Sequence, residues 1–180
     1  MPRIAAFALL LAACSSVHVT TDFDPGADFA ALETWAWLAR KAQATGDPHM
    51  DSTLLHERIR GAVEAQLAER GYGKTASGRA DFLVAYHTAV ERKMDVDTVY
   101  RGYGYGPSVY GWGPGHETVV YEYDQGTLLL DFLDPKTKRL LWRGSASAVV
   151  SESSTPEQRT RRINEAVSKL LDHFPPERKR

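Results

Sequence analysis

The chain has 180 residues, with 22 Lys and Arg against 23 Asp and Glu and a formal net charge of −1. That length suits one ordinary domain, able to bury about 70% of its extended-chain surface without staples. The balanced charge argues against a nucleic-acid partner and against strong electrostatic attraction to a membrane surface.

The only cysteine is Cys14. A lone Cys is most often a small buried hydrophobe, and a reactive thiol wants a basic or helix-N-terminal setting that the neighbouring residues do not supply. Position gives a third reading. Arg3 makes a positive n-region, Ile4 to Leu11 an apolar h-region, and Ala12 and Ala13 the small residues expected before a cleavage site. The apolar run is far short of the roughly 20 residues that cross a bilayer as a helix, so residues 1–13 read as a signal peptide. Leu11-Ala12-Ala13-Cys14 resembles the lipobox of bacterial lipoproteins. An ordinary secreted protein is the competing reading. The resemblance implies cleavage before Cys14, a diacylglycerol on its sulfur and a third acyl chain on its new amino group. The mature chain would then be residues 14–180, held to a lipid bilayer through Cys14. Each buried methylene contributes about 0.8 kcal/mol, so two or three chains would make release negligible. Ser15, where an Asp would favour inner-membrane retention, implies the inner leaflet of the outer membrane with the domain facing the periplasm.

Beyond the leader, Val17, Val19, Thr21 and Phe23 alternate with polar residues and predict a short strand, broken by Asp24-Pro25-Gly26. Residues 32–38, with Trp35 and Trp37, predict a second. From about Asp51 to Arg70 the period changes: Leu55, Ile59, Val63 and Leu67 form the buried stripe of an amphipathic helix, with Gly71 as a left-handed C-cap and Tyr72 folding back on the stripe. Asp81 to Lys93 alternates again as a long strand. Thr118 to Tyr123 and Thr127 to Leu133 predict one strand or two, with a bulge at Asp124-Gln125-Gly126. The turn at Asp134-Pro135 leads into a returning strand over Leu140 to Val150. Thr155-Pro156-Glu157-Gln158 is a capping box with Pro at N1, opening a helix whose stripe is Ile163, Val167, Leu170 and Phe174. The order β, β, α, β, β, β, α predicts an α+β two-layer sandwich: a mainly antiparallel sheet of four to six strands with two helices on one face.

Taken together, "VTTDFDPGADFAALETWAWL", "IRGAVEAQLAERGY", "ADFLVAYHTAVERK", "GTLLLDFLDPKTKRLLWRGSA" and "INEAVSKLLDHFPP" resemble the bacterial lipoprotein family called domain of unknown function 4136. The resemblance covers nearly all of the mature chain. It implies an envelope lipoprotein of Gram-negative bacteria, and no activity, cofactor or catalytic residue.

The residues themselves offer little enzymatic chemistry. His49, Asp51 and His56 could converge on a metal, but a structural zinc site wants four ligands, usually with Cys, and exposed residues near a helix start explain them better. Asp22, Asp24 and Asp28 resemble a calcium loop only loosely and read better as turn residues between two strands. Ser145, Ser147 and His87 show no nucleophile motif, and no glycine loop has phosphate-binding spacing. Asp131 and Glu122, expected on neighbouring strands, could pair as acid and base, or simply face solvent. No metal, cofactor or catalytic residue is expected.

The remaining motif is "YRGYGYGPSVYGWGPG", residues 100–115. Tyr103, Tyr105, Tyr110 and Trp112 on a glycine-rich backbone have the composition of a binding loop, since such rings give large contact area and stack on sugar faces. Rings packed back on the domain's own sheet, or a slippage-prone extension of the adjoining strands, are the structural alternatives. The leading reading is an outer-membrane-anchored, non-enzymatic structural or protein-interaction module of the cell envelope. A lipoprotein using the Tyr/Trp loop on peptidoglycan or another glycan is the second, and an envelope hydrolase the third.

Cys14 is therefore expected to be the acylated N-terminus. Cells grown with labelled palmitate should label the wild type and not Cys14→Ser. Equal labelling of both, or an intact Met1 by mass spectrometry, would overturn the assignment.

Overall fold

The computed structural model describes residues 17–39, 52–100, 116–150 and 153–177, with the side chains of 77, 96–100 and 116–119 left aside. Strands form where the side-chain period is two: β1 (His18–Phe23), β2 (Thr34–Trp37), β4 (Phe82–Tyr100), β5 (His116–Leu133) and β6 (Leu140–Val150). A two-residue strand, β3 (Gly73–Lys74), is too short for alternation to signal. The helices are α1 (Thr53–Glu69) and α2 (Pro156–Leu171).

The six strands lie in the order β1-β6-β5-β4-β2-β3. Pairing is antiparallel from β1 through β4. At the other edge β2 runs parallel to both β4 and β3. That edge is parallel because α1 is the crossover joining β2 to β4. The α+β layout expected from the pattern is thus present, with one parallel edge added.

Both helices cover the same face. Ile59, Val63 and Leu67 of α1 and Val167, Leu170 and Leu171 of α2 share one core with the sheet's inward residues. On β4, β5 and β6 those inward residues are the even-numbered ones, Val84, Phe132 and Trp142 among them, because paired residues share a face. Phe174, just past α2, sits at the centre of the aromatic packing. Its ring centroid lies 4.5 Å from that of Phe132, 5.4 Å from Trp142 and 5.9 Å from both Phe29 and Phe82.

The helix ends follow their local chemistry. Gly71 has φ +87, and the Tyr72 N–H donates to the Leu67 carbonyl at 2.9 Å while the Gly71 N–H donates to Ala68 at 3.0 Å. This two-bond closure satisfies the last carbonyls of α1 and turns Tyr72 onto Phe82 and Phe174. At α2 the Gln158 N–H donates to Thr155 Oγ1, and Gln158 Oε1 accepts from the Thr155 N–H. Asp81 ties the start of β4 to β2: one carboxylate oxygen accepts from the Thr34 hydroxyl (2.7 Å) and from the Thr34 and Glu33 N–H groups. Those bonds hold its carboxyl below the ordinary aspartate range.

Two expectations are corrected. β5 is one unbroken strand, and no bulge occurs at Asp124–Gly126, where the register with β4 and β6 is regular. The irregularity lies at Phe132/Leu133 instead, next to the turn. β4 also runs to Tyr100, past its expected end at Lys93.

Gly144 is required by the core. A Cβ there would stand 2.5 Å from Trp142 Cη2 and 2.7 Å from Leu170 Cδ2. Gly144→Ala is expected to destabilise the fold by about 1–3 kcal/mol through overpacking, despite the unfolded-state gain usual for this change. The check is the urea midpoint, which should fall with the slope unchanged. An unmoved midpoint would show that Trp142 and Leu170 have room to give.

Candidate interaction surface

β4 and β5 stay paired over their whole lengths, from Leu83↔Leu133 to Tyr100↔His116. Their neighbours do not keep up. β6 accompanies β5 only as far as Asp124↔Val150. On the other side β2 pairs with β4 as far as Trp37↔Val84, and the Leu38 N–H closes that contact on the Val84 carbonyl at 2.8 Å. Among the described residues the hairpin continues beyond the Arg92↔Asp124 pair as a two-stranded ribbon for roughly 27 Å, at about 3.4 Å per residue.

This end of the sheet carries most of the exposed large apolar side chains among the described residues. Met94 is 70% exposed, Val149 57%, Val120 and Tyr121 54%, and Val150 43%; Phe23 and Leu54 are the others. Met94, Val120 and Val150 continue the helix-covered face past the helices, while Tyr121 and Val149 lie on the opposite face. Gly126 lets Val150 fold across β5, since a Cβ there would stand 2.6 Å from Val150 Cγ2. Charges flank the apolar residues. Lys93 Nζ lies 2.7 Å from Glu91 and Arg92 Nε 3.4 Å from Asp124. The Glu91–Lys93 hydrogen bond holds the carboxyl below, and the ammonium above, its ordinary range, so both are charged at neutral pH.

The aromatic motif is tied to this ribbon by connectivity. Tyr103, Tyr105, Tyr110 and Trp112 lie outside the described residues, but the segment's two ends, Tyr100 and His116, are paired across the ribbon's last row. Cys14, His49 and Asp51 also lie outside the described residues. The ribbon extends past Lys93, where the charged run predicts the end of the strand. The signal was there: Met94-Asp95-Val96-Asp97 continues the alternation of β4.

The other expected residues disperse. His56 sits in the first turn of α1, and its Nδ1 shares a 2.9 Å hydrogen bond with the Tyr86 hydroxyl. Asp24 Oδ1 accepts from the Gly26 N–H, the turn role expected of it. Glu122 and Asp131 are both on β5, on opposite faces, which corrects their expected placement on neighbouring strands. His87 and Ser145 share a row with Leu129 between them, so their backbones are about 10 Å apart. Asp131 is committed elsewhere: its two oxygens accept from Arg143 Nε (2.6 Å) and a terminal Arg143 nitrogen (2.7 Å). No group of three or more metal-ligating side chains converges among the described residues. No helix there is long and apolar enough to cross a membrane.

A second polar cluster lies where α1 crosses β2. The Trp37 Nε1–H and Lys74 Nζ both donate to Glu64 Oε1, at 2.8 and 2.7 Å, and the Arg60 guanidinium lies 4.5 Å from the Trp37 ring centroid. Desolvation raises the Glu64 carboxyl, but the bonds from Lys74 and Trp37 outweigh it and hold it below the ordinary range. Each polar group here already has a partner within the cluster, which reads as a clasp between α1 and the sheet edge.

A family model described as domain of unknown function (DUF4136) matches residues 19–176. The chain belongs to this family. No curated protein matches it. A PDZ domain protein from Parabacteroides distasonis is similar in structure, with a TM-score of 0.55 and 15% identity over 91% of this chain and 37% of that one. The chain therefore spans well under half of that protein, and the likeness is one of fold alone. A PelC dodecamer from Paraburkholderia phytofirmans aligns over 87% of this chain and 95% of that one, with 10% identity and a TM-score of 0.40. The DUF4136 domain thus brings a fold without an assigned activity, and its surface must be read from its own residues.

On the open face Asp131 is 5% exposed, and Arg143 stands in register between it and Asp22. Removing the cation strands a buried carboxylate. Arg143→Ala is expected to cost about 1–3 kcal/mol. Asp131→Ala in the same background should recover part of that loss in a double-mutant cycle. Additive losses in the urea midpoints would show the pair to be uncoupled.

Proposed function

We propose that this DUF4136 chain is an outer-membrane-anchored lipoprotein whose periplasmic domain is a non-enzymatic structural or protein-interaction module, and that the β4–β5 ribbon is its contact surface. The anchor rests on the signal-like segment ending at Cys14. The observation that carries the interaction reading is the cluster of exposed apolar side chains formed by Met94, Val120 and Tyr121 on a ribbon that leaves the body of the sheet, with Val149 and Val150 of β6 at its root. A two-stranded hairpin is marginal in water, and apolar side chains displayed on both of its faces gain most when a partner covers them.

The test is a photo-crosslinking amino acid placed at Met94 or Tyr121 in the full chain, in intact cells. These positions should form protein adducts, and a control at Asp172, exposed at the far end of α2, should not. Replacing Tyr103, Tyr105, Tyr110 and Trp112 together by Ser should reduce the adducts and leave the denaturant midpoint within about 0.5 kcal/mol per change. Adducts equal to the control would remove the ribbon from consideration. A loss of several kcal/mol in the Ser variant would assign those rings to the core.

A further inference from the structure

We infer that the ribbon's partner is a second copy of this chain, added edge to edge along β4 about a two-fold axis at Arg92. The inference rests on the interaction reading above and names its occupant. Among the described residues no strand accompanies β4 on its β2 side past Val84. The Val84 carbonyl points to that side, where Leu38 bonds it. In an extended strand N–H and C=O groups repeat every second residue, so those of Val90, Arg92 and Met94 face the same free edge. A long, unblocked edge is a template for another strand. The opposite edge, on β5, is shorter, running from His116 only to Tyr123 before β6 takes over.

An identical strand added antiparallel about a perpendicular two-fold must pair odd residues with odd and even with even. The charges then select among the registers. Centred on Lys93, Lys93 opposes itself, Glu91 opposes Asp95 and Arg92 opposes Met94, so no opposite charges meet among these residues and two kinds of like-charge contact form. Centred on Met94, Lys93 meets Asp95 but Arg92 meets an apolar residue. Centred on Arg92, Glu91 opposes Lys93 of the other copy, twice, and Val90 opposes Met94, twice. The Glu91–Lys93 ion pair already present in each chain then closes with that of the other copy into a four-charge ring. The one like pair, Arg92 against itself, is relieved because each guanidinium is drawn across the ribbon toward its own Asp124. Opposite charges facing across strands are favourable and like charges unfavourable, so this register wins. The Arg92 N–H of each copy donates to the Arg92 carbonyl of the other, making Arg92 a hydrogen-bonded pair with Cα atoms about 5.5 Å apart.

That spacing lies within disulfide range. Single cysteines placed at Thr88, Arg92 and Asp95 in the full chain, oxidised mildly in intact cells, should give a dimer of double mass. Its yield should peak at Arg92→Cys, at least about fivefold above the other two and above the unaltered chain. Val90→Cys and Met94→Cys chains carrying different tags should crosslink to each other when co-expressed. Independently of any cysteine, Glu91→Lys or Lys93→Glu alone should weaken association about tenfold, and the double exchange should restore it. Sedimentation of the protein extracted from membranes reads that change. A monomer by sedimentation, or crosslinking that does not peak at Arg92, overturns the proposal. If Met94 and Tyr121 still form adducts with a different protein, the interaction reading stands without it; if they form none, both fall together.

Discussion

A helix advances about 1.5 Å per residue and a strand about 3.4 Å, and the shape of this domain follows from that mismatch. α1 and α2, with 17 and 16 residues, are each roughly 25 Å long. β4, with 19 residues, is roughly 60 Å long. Two helices side by side therefore cover less than half of the central hairpin. The covered part becomes the core, and the uncovered part becomes the ribbon. A shorter hairpin would have made a closed two-layer domain with no projecting surface.

Within the covered part the core is organised by rings. Phe132 and Trp142 are in register on β5 and β6, Phe82 lies diagonally on β4, and Phe174 closes over all three from the end of α2. Edge-on and tilted ring pairs at these separations add about 0.5–1.5 kcal/mol each beyond the area they bury. The cluster also explains Gly144. With Trp142 lying along β6 and Leu170 descending from α2, no side chain fits between them. Among the described residues the sheet is thus tightly held at one end and progressively less so toward Tyr100, where one strand pair remains.

The legible parts of the sequence were those governed by local periodicity. The stripe Ile59, Val63, Leu67, the capping box at Thr155 and the left-handed Gly71 all stand where spacing and side-chain chemistry required them. What spacing could not reveal is which strand pairs with which. β3 has two residues and exists only because β2 offers it an edge. The end of β4 is not legible locally, because a charged run, Glu91-Arg92-Lys93, looks like the close of a strand. The charges are instead satisfied by Asp124 across the ribbon and by each other. Asp124-Gln125-Gly126 looked like a bulge by composition, yet Gly126 serves to make room for Val150 rather than to bend the backbone. In each case a tertiary neighbour overrode a local cue.

The proposed anchor and the proposed pairing constrain each other. β1 begins at His18, which pairs with Ser147; Ser147 pairs with Thr127, and Thr127 with Ala89. The chain therefore enters the sheet at the row of Ala89, on the side from which the ribbon leaves. In the register centred on Arg92, the Ala89 of one copy faces Asp95 of the other. The two entry points are then six strand residues apart along β4, roughly 20 Å. From Cys14 to His18 a fully extended chain reaches about 14 Å. Two acylated cysteines can thus reach one leaflet only if the paired β4 strands lie closer to the membrane plane than to its normal. Strands standing upright would put the entry points at heights differing by the full 20 Å, more than one such tether spans. A ribbon lying along the bilayer would turn one face outward and the other toward the lipid headgroups, and both faces carry apolar side chains: Met94 and Val120 on one, Tyr121 and Val149 on the other.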